Sequence, residues 1–416
     1  MLAGDIHARS RVLRCCCLRT ALAPPIVLTG LGLTQIVAWG SSYYLLAVLA
    51  VPIAAETGWS LTWIVGGLSL GLLVAGIVSP RVGRVINQHG GRFVLAASST
   101  LLGLGLVGLS LAQSLPLYFL AWVVMGIGMG AGLYDAGFAT LGKLYGVDAR
   151  RMIVTLTLFG GFASTVCWPF SAFLVGEVGW RGACLVYAGI HLLIALPIHL
   201  LLFAGPKRRG EEPQPIATDE SVGRALVARK HLAAFVLMTS TIALCSVISS
   251  VVSVHLLTIL QAGGLSLAAA VALGALVGPS QVGARVIELV VGRYYHPIWT
   301  MLGATILVTV GLGLLLARFP IVVLALIPYG AGIGIESIAR GTLPLALFGP
   351  ANYAALMGRV ALPSLIAQAV SPSAGAVLLQ YGGVIAALSV LTALAALNVA
   401  LVVALRVAAK KAALPL

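Results

Sequence analysis

Apolar runs follow one another along the chain from Pro25 to Arg406, separated by short clusters of charged residues, glycine and proline. A run of more than about 18 apolar residues is long enough to cross a bilayer as a helix. The pattern predicts twelve such helices. The first six cover 25–54, 60–80, 92–113, 115–142, 152–176 and 181–204. The second six cover 231–261, 265–291, 298–317, 320–348, 352–379 and 383–406. Between the sets, "GPKRRGEEPQPIATDESVGRALVARK" breaks the pattern and reads as a linker. The expected organisation is an extension over 1–24, a bundle over 25–204, a linker over 205–230, a bundle over 231–408 and a tail over 409–416.

The two bundles read as pseudo-symmetric copies. Helix four carries "GIGMGAGLYDAG" and helix ten carries "GAGIGIESIARG". Gly126, Gly128, Gly130 and Gly137 thus stand at one common offset from Gly330, Gly332, Gly334 and Gly341. Glycines at this spacing let helices approach closely. A phosphate loop would need a strand before it.

Composition agrees with the pattern. The chain is 60% hydrophobic and 9% charged, against about 25% charged in ordinary soluble domains. That excludes a soluble globular protein and predicts an all-α membrane protein. The net charge of +14 reads as topology rather than as a nucleic-acid surface. With the N-terminus inside, every lysine and arginine except Arg181, Arg318, Arg285, Arg340 and Arg359 falls in a cytoplasmic segment. That is the positive-inside pattern, so both termini are expected in the cytoplasm and the chain in the cell's inner membrane. Cys15, Cys16 and Cys17 could carry lipid beside the first span, or belong to an extension without function. No HExxH pair, nucleophile elbow or Walker lysine occurs. Neither catalysis nor a cofactor is expected.

The loop "GRVINQHGGR", from Gly83 to Arg92, resembles the signature loop of the major facilitator superfamily, G-x-L-x-D-R-x-G-R-R. Gly83, Val85, Gly90 and Arg92 fit it. Asn87 stands where the family has aspartate, and Gln88 where it has arginine. "YGVDARRMIVTLTLFGG", "GWRGA" and "WGSSYYLLAVLAVPIAAETGWS" are similar to stretches of the monocarboxylate and oxalate–formate branch. The resemblance implies the major facilitator fold, with helices one, four, seven and ten around a central cavity. It also implies a monomer in the bilayer that moves a small solute by alternating access.

Charges inside a span are costly, and so mark candidate sites. Glu336 and Arg340 lie one turn apart in helix ten, on one face. They could couple a proton to an anion, or form a permanent structural pair. Asp135 in helix four has no basic neighbour within its own helix. Arg359 in helix eleven is the expected partner, and the role could be proton carriage, closure of the cytoplasmic side, or structure. Gln35, Trp39 and Tyr43 form a stripe on helix one, with Ser42 and Tyr44 flanking it, suited to packing or to solute contact. With Tyr134, Arg340 and Arg359 these make up the expected solute site. His191 and His199 are expected to bond locally.

The end of helix eight, "GPSQVGARVIEL", reads as the second-half copy of the signature loop. Gly83, Asn87, Arg92, Arg285 and Glu288 are therefore the expected cytoplasmic gate, with Arg285 reaching a substrate carboxylate as the alternative. The function expected is secondary transport of a small organic anion, such as a monocarboxylate, with protons. The alternatives are a proton-driven exporter of drugs or metabolites, and a receptor without transport.

Overall fold

The computed structural model describes residues 24–202 and 229–415. The Cys15–Cys17 cluster and the 205–230 linker lie outside them, apart from its last two residues. The described residues form twelve helical rods, α1 to α12. A helix satisfies every backbone N–H and C=O within its own segment, which suits long apolar runs to lipid.

In the first half, α1 has two segments, Pro24–Gly40 and Leu46–Thr57, followed by α2 (Leu61–His89) and α3 (Arg92–Leu111). Next, α4 comprises Leu115–Gly132 and Tyr134–Tyr145. Ala149–Gly161 begins α5, and the stretch Ala163–Ile190 completes it and opens α6, the division falling at Gly179. Then α6 runs through a π turn at His191–Ala195 into Leu196–Leu202.

In the second half, α7 is Arg229–Ala262 and α8 is Leu267–Gly274 with Val277–Val291. They are followed by α9 (Pro297–Leu316) and α10 (Val323–Phe348). The stretch Tyr353–Lys411 holds α11 and α12, divided at Gly383. Gly179 and Gly383 take matching backbone angles, φ 71° and ψ 173° against φ 72° and ψ −179°. A positive φ of this kind favours glycine. The same corner is built twice.

Inside each half the packing repeats as well. A side chain on Gly126 would strike the Gly71 carbonyl of α2, and one on Gly330 the Val277 carbonyl that opens the main segment of α8. Gly128 packs against Leu102 of α3, and Gly332 against Val308 of α9. The expected pseudo-symmetry is thus a physical match of close contacts. Meanwhile Leu193, Leu201, Val51 and Phe93 turn outward, each more than 60% exposed, as a lipid-facing surface requires.

The halves meet along a seam where α2 and α4 face α11, and α5 faces α8 and α10. One end of this seam is rich in basic residues: Arg81, Arg84, Arg92, Lys143, Arg150, Arg151, Arg293, Lys410 and Lys411. We call it the basic end. There Gly83 lies against the Ala354 carbonyl and the Gly358 backbone, while Gly358 lies against the Ser79 carbonyl and Pro80. Two glycines face each other, and the helices touch backbone to backbone.

The expected continuous helices one, four and eight are broken. The break in α1 spans Ser41–Leu45, that in α4 falls at Leu133, and that in α8 lies between Gly274 and Val277. Apolar periodicity continues across each break, so it carries no sign of them.

Candidate functional site: a charged and aromatic cluster at the seam

The break in α4 starts a new helical segment at Tyr134 and puts Asp135 in its first turn. A carboxylate there meets the positive end of the helix dipole. Its two oxygens receive Arg340 of α10: Nε donates to Oδ1 at 3.1 Å and Nη2 to Oδ2 at 2.9 Å. Both side chains are 14% exposed. Arg340 also donates to Ser246 Oγ of α7 at 3.3 Å. The expected partner of Asp135 was Arg359. The structure replaces it with Arg340, because α10 crosses the seam opposite α4 at this depth. Arg359 lies half-buried in α11 beside Gly358.

Arg340 is therefore paired across the seam, and not with Glu336 one turn away. Glu336 is buried, and its Oε1 has no hydrogen-bond partner. It lies in the fields of Arg340, Arg285 and Asp135.

Arg285 is buried too. Its Nε donates to the Gly334 carbonyl of α10 at 3.1 Å, and its Nη1 to the Thr157 carbonyl of α5 at 3.2 Å. Arg285 thus joins α8, α10 and the opposite half through backbone carbonyls. Gly334 lies close to the middle of α10, so the guanidinium reaches deeper than the helix position of Arg285 suggests. Glu288 points elsewhere. It accepts from Thr300 Oγ1 at 2.8 Å and from Tyr295 OH at 2.5 Å, which ties α8 to α9 inside the second half.

Around Arg285 stands an aromatic wall. Tyr134 OH donates to the same Thr157 carbonyl at 3.3 Å. The Tyr134 ring stacks on Phe138 and lies 5.0 Å from Trp39. Trp39 is 5.4 Å from Tyr43 and 6.1 Å from Tyr44. Gln35 Nε2 donates to the Gly132 carbonyl at 2.5 Å, where the break in α4 begins, while Gln35 Oε1 and Trp39 Nε1 are buried without partners.

The signature loop sits at the basic end, away from this cluster. Asn87 is half-buried near the end of α2, and Arg92 opens α3 with its guanidinium 5.3 Å from the Phe93 ring centre. Here Arg150 of α5 crosses the seam, donating to the Gly292 carbonyl and, at 2.9 Å, to the Tyr295 carbonyl. Burial, reinforced by that guanidinium, holds the neighbouring His296 below the usual histidine range. Sequence reasoning counted Arg150 only as a topology charge. Its acceptors are backbone carbonyls, which leave no mark in a sequence. The histidines also differ from expectation. His191 meets Ser41 Oγ of α1 at 2.7 Å, and His199 meets Ser99 and Thr34, each at 3.0 Å, so both bond across helices.

Two six-helix halves of matching packing, with buried charges at their seam, define a polytopic membrane protein built on an internal repeat. Residues 31–295 match the model of the Major Facilitator Superfamily, and the chain belongs to that superfamily. It is 32% identical over 138 residues to an uncharacterized 38 kDa protein of Thermoproteus tenax, covering 33% of this chain and 35% of that one. It is 31% identical over 133 residues to monocarboxylate transporter 6 of Homo sapiens, covering 32% of this chain and 25% of that one. The chain spans about a third or less of the length of these relatives. Among solved structures, the human organic anion transporter MFSD10 (TETRAN) superposes with a TM-score of 0.71 at 16% identity, over 91% of this chain and 99% of that one. The proton:xylose symporter XylE does so with 0.71 at 13% identity, over 91% and 94%. At such identities the likeness is one of fold.

Proposed function

We propose that this protein is a secondary transporter that moves a small organic monoanion together with a proton. It works as a monomer, by alternating access, in the inner membrane, with the basic end and both termini in the cytoplasm. The observation that carries this reading is the set of charges at the seam. Asp135, Glu336, Arg285 and Arg340 sum to zero when all are ionised, and one oxygen of Glu336 is buried without a partner. A monoanion entering this place adds one uncompensated charge where charges are expensive. A proton on Glu336 cancels it.

Arg285 receives the anion. Its described bonds go to carbonyls, so its charge is free to be matched, whereas Arg340 is held through Nε and Nη2 by both oxygens of Asp135. Gln35, Trp39, Tyr43 and Tyr134 line the solute's place. The Asp135–Arg340 pair joins the halves and reorganises as they rock, with Asp135 as a second proton acceptor. Arg359 contacts solute only in the opposite state. Gly83, Asn87 and Arg92, joined by Arg150, keep the basic end shut, while Glu288 braces α8 against α9 behind them. The names of monocarboxylate transporter 6 and of the organic anion transporter fit an anionic solute, and that of the xylose symporter fits a proton.

Uptake of labelled monocarboxylates into proteoliposomes, with and without an imposed pH gradient, tests the reading. Accumulation is expected to follow the proton gradient. In Glu336→Gln, gradient-driven accumulation should vanish while solute exchange persists. Equal accumulation by wild type, Glu336→Gln and Asp135→Asn would remove protons from the mechanism. Extrusion of hydrophobic dyes without carboxylate uptake would replace the solute class.

A further inference from the structure

Building on the proposed reading of an anion held by Arg285, we infer that the solute's body is aromatic: the site is shaped for an arene carboxylate rather than a short aliphatic acid or a dicarboxylate.

The argument starts from the break in α1. On a regular helix Tyr43 would share a face with Trp39, while Tyr44 would point roughly 140° away. In the structure the Tyr44 N–H bonds the Trp39 carbonyl, five residues back, at 3.0 Å. This wider turn swings Tyr44 round, so that Trp39 meets Tyr43 and Tyr44 at once, at 5.4 and 6.1 Å. Wide turns of this kind collect at functional sites. Trp168 of α5 then closes on Tyr44 at 6.1 Å.

The wall stands beside the cation. Tyr134 and Arg285 share the Thr157 carbonyl. Both Tyr44 and Tyr134 lie in the Arg285 field. Trp39, Tyr43, Tyr44 and Tyr134 are partly exposed rather than sealed in a core. The Trp39 indole N–H is buried with no partner, and an indole N–H in such a place ordinarily finds an acceptor. A carboxylate on Arg285 would set its ring against Tyr44 and Tyr134, with Trp39 packed on both. A two-carbon or three-carbon acid reaches the guanidinium but leaves the rings uncovered. A dicarboxylate brings a second charge, and of the two arginines Arg340 is already held by Asp135, which leaves one cation for one carboxylate.

The test is calorimetry on the purified full-length protein in nanodiscs, titrated with benzoate, phenylacetate, cyclohexanecarboxylate, lactate, acetate, succinate and benzyl alcohol. Benzoate or phenylacetate should bind about tenfold or more tighter than lactate and acetate, as one or two ring stacks imply. Both should exceed cyclohexanecarboxylate, and succinate should not compete. Trp39→Leu and Tyr44→Leu should each bring the benzoate-to-acetate ratio toward one, and Trp39→Phe should restore the ratio. Lactate or acetate binding as tightly as benzoate, or ratios untouched in both leucine variants, would overturn the inference and leave the anion reading standing. Binding of benzyl alcohol with no carboxylate binding would overturn both.

Discussion

At the scale of single residues, the seam is governed by the cost of burying charge. Asp135 and Arg340 tolerate burial because each satisfies the other through two hydrogen bonds. Removing one member leaves the other stranded, which costs about 3–5 kcal/mol for buried pairs. Asp135→Ala is therefore expected to lower the thermal unfolding temperature in detergent more than Asp135→Ala/Arg340→Ala does. Equal losses would mean that water already reaches the pair. The buried acids and arginines themselves were readable, since an ionisable residue within an apolar run stands out. Their pairing was not. Which helix lies opposite Asp135 is set by how the halves dock, and helical spacing along one chain speaks only of neighbours in that chain. The i,i+4 spacing puts Glu336 and Arg340 on one face, which left either coupling or a structural pair open, yet a bidentate partner across the seam outweighs a single-turn neighbour.

At the scale of elements, the twelve rods were legible because lipid leaves the backbone only helices or closed barrels, and apolar runs this long fit the helix. The breaks in α1 and α4 were hidden because the bonds that hold them run between rods. Gln35 of α1 takes up the Gly132 carbonyl at the break in α4. Ser41, at the break in α1, is held by His191, which opens the π turn of α6. Two irregular turns thus support each other, and together they aim Tyr43 and Tyr44. Losing this bond leaves a buried polar atom unsatisfied, at about 1–3 kcal/mol. His191→Leu and Ser41→Ala should each weaken solute binding several-fold, and the double variant should be no worse than the worse single one. Additive losses in that cycle would show that the two turns act independently.

At the scale of the molecule, the contacts between the halves are unevenly spread. Hydrogen bonds and an ion pair that cross the seam include Arg150 to Gly292 and Tyr295, Arg285 to Thr157, and Arg340 to Asp135. These lie between mid-span and the basic end. The glycine contact of α2 with α11 lies at that end as well. A molecule locked there is closed on that side. If the halves rock about the central cluster, the Gly83–Gly358 contact is the part that must separate. It holds by the fit of two backbones, with no side chain to stretch, so a bulkier residue should bias the whole equilibrium. Gly83→Val puts branched carbon where the Ala354 carbonyl and the Gly358 backbone now lie. Ser79, beside this contact, is 2% exposed. A Ser79→Cys probe, in a background without Cys15, Cys16 and Cys17, should resist a water-soluble maleimide with Gly83 intact and react readily in Gly83→Val. Arg150→Ala should raise its reactivity in the same direction, because it frees the second fastening of the same end. Unchanged labelling in both backgrounds would mean that this end does not open, and the rocking motion would have to be sought elsewhere along the seam.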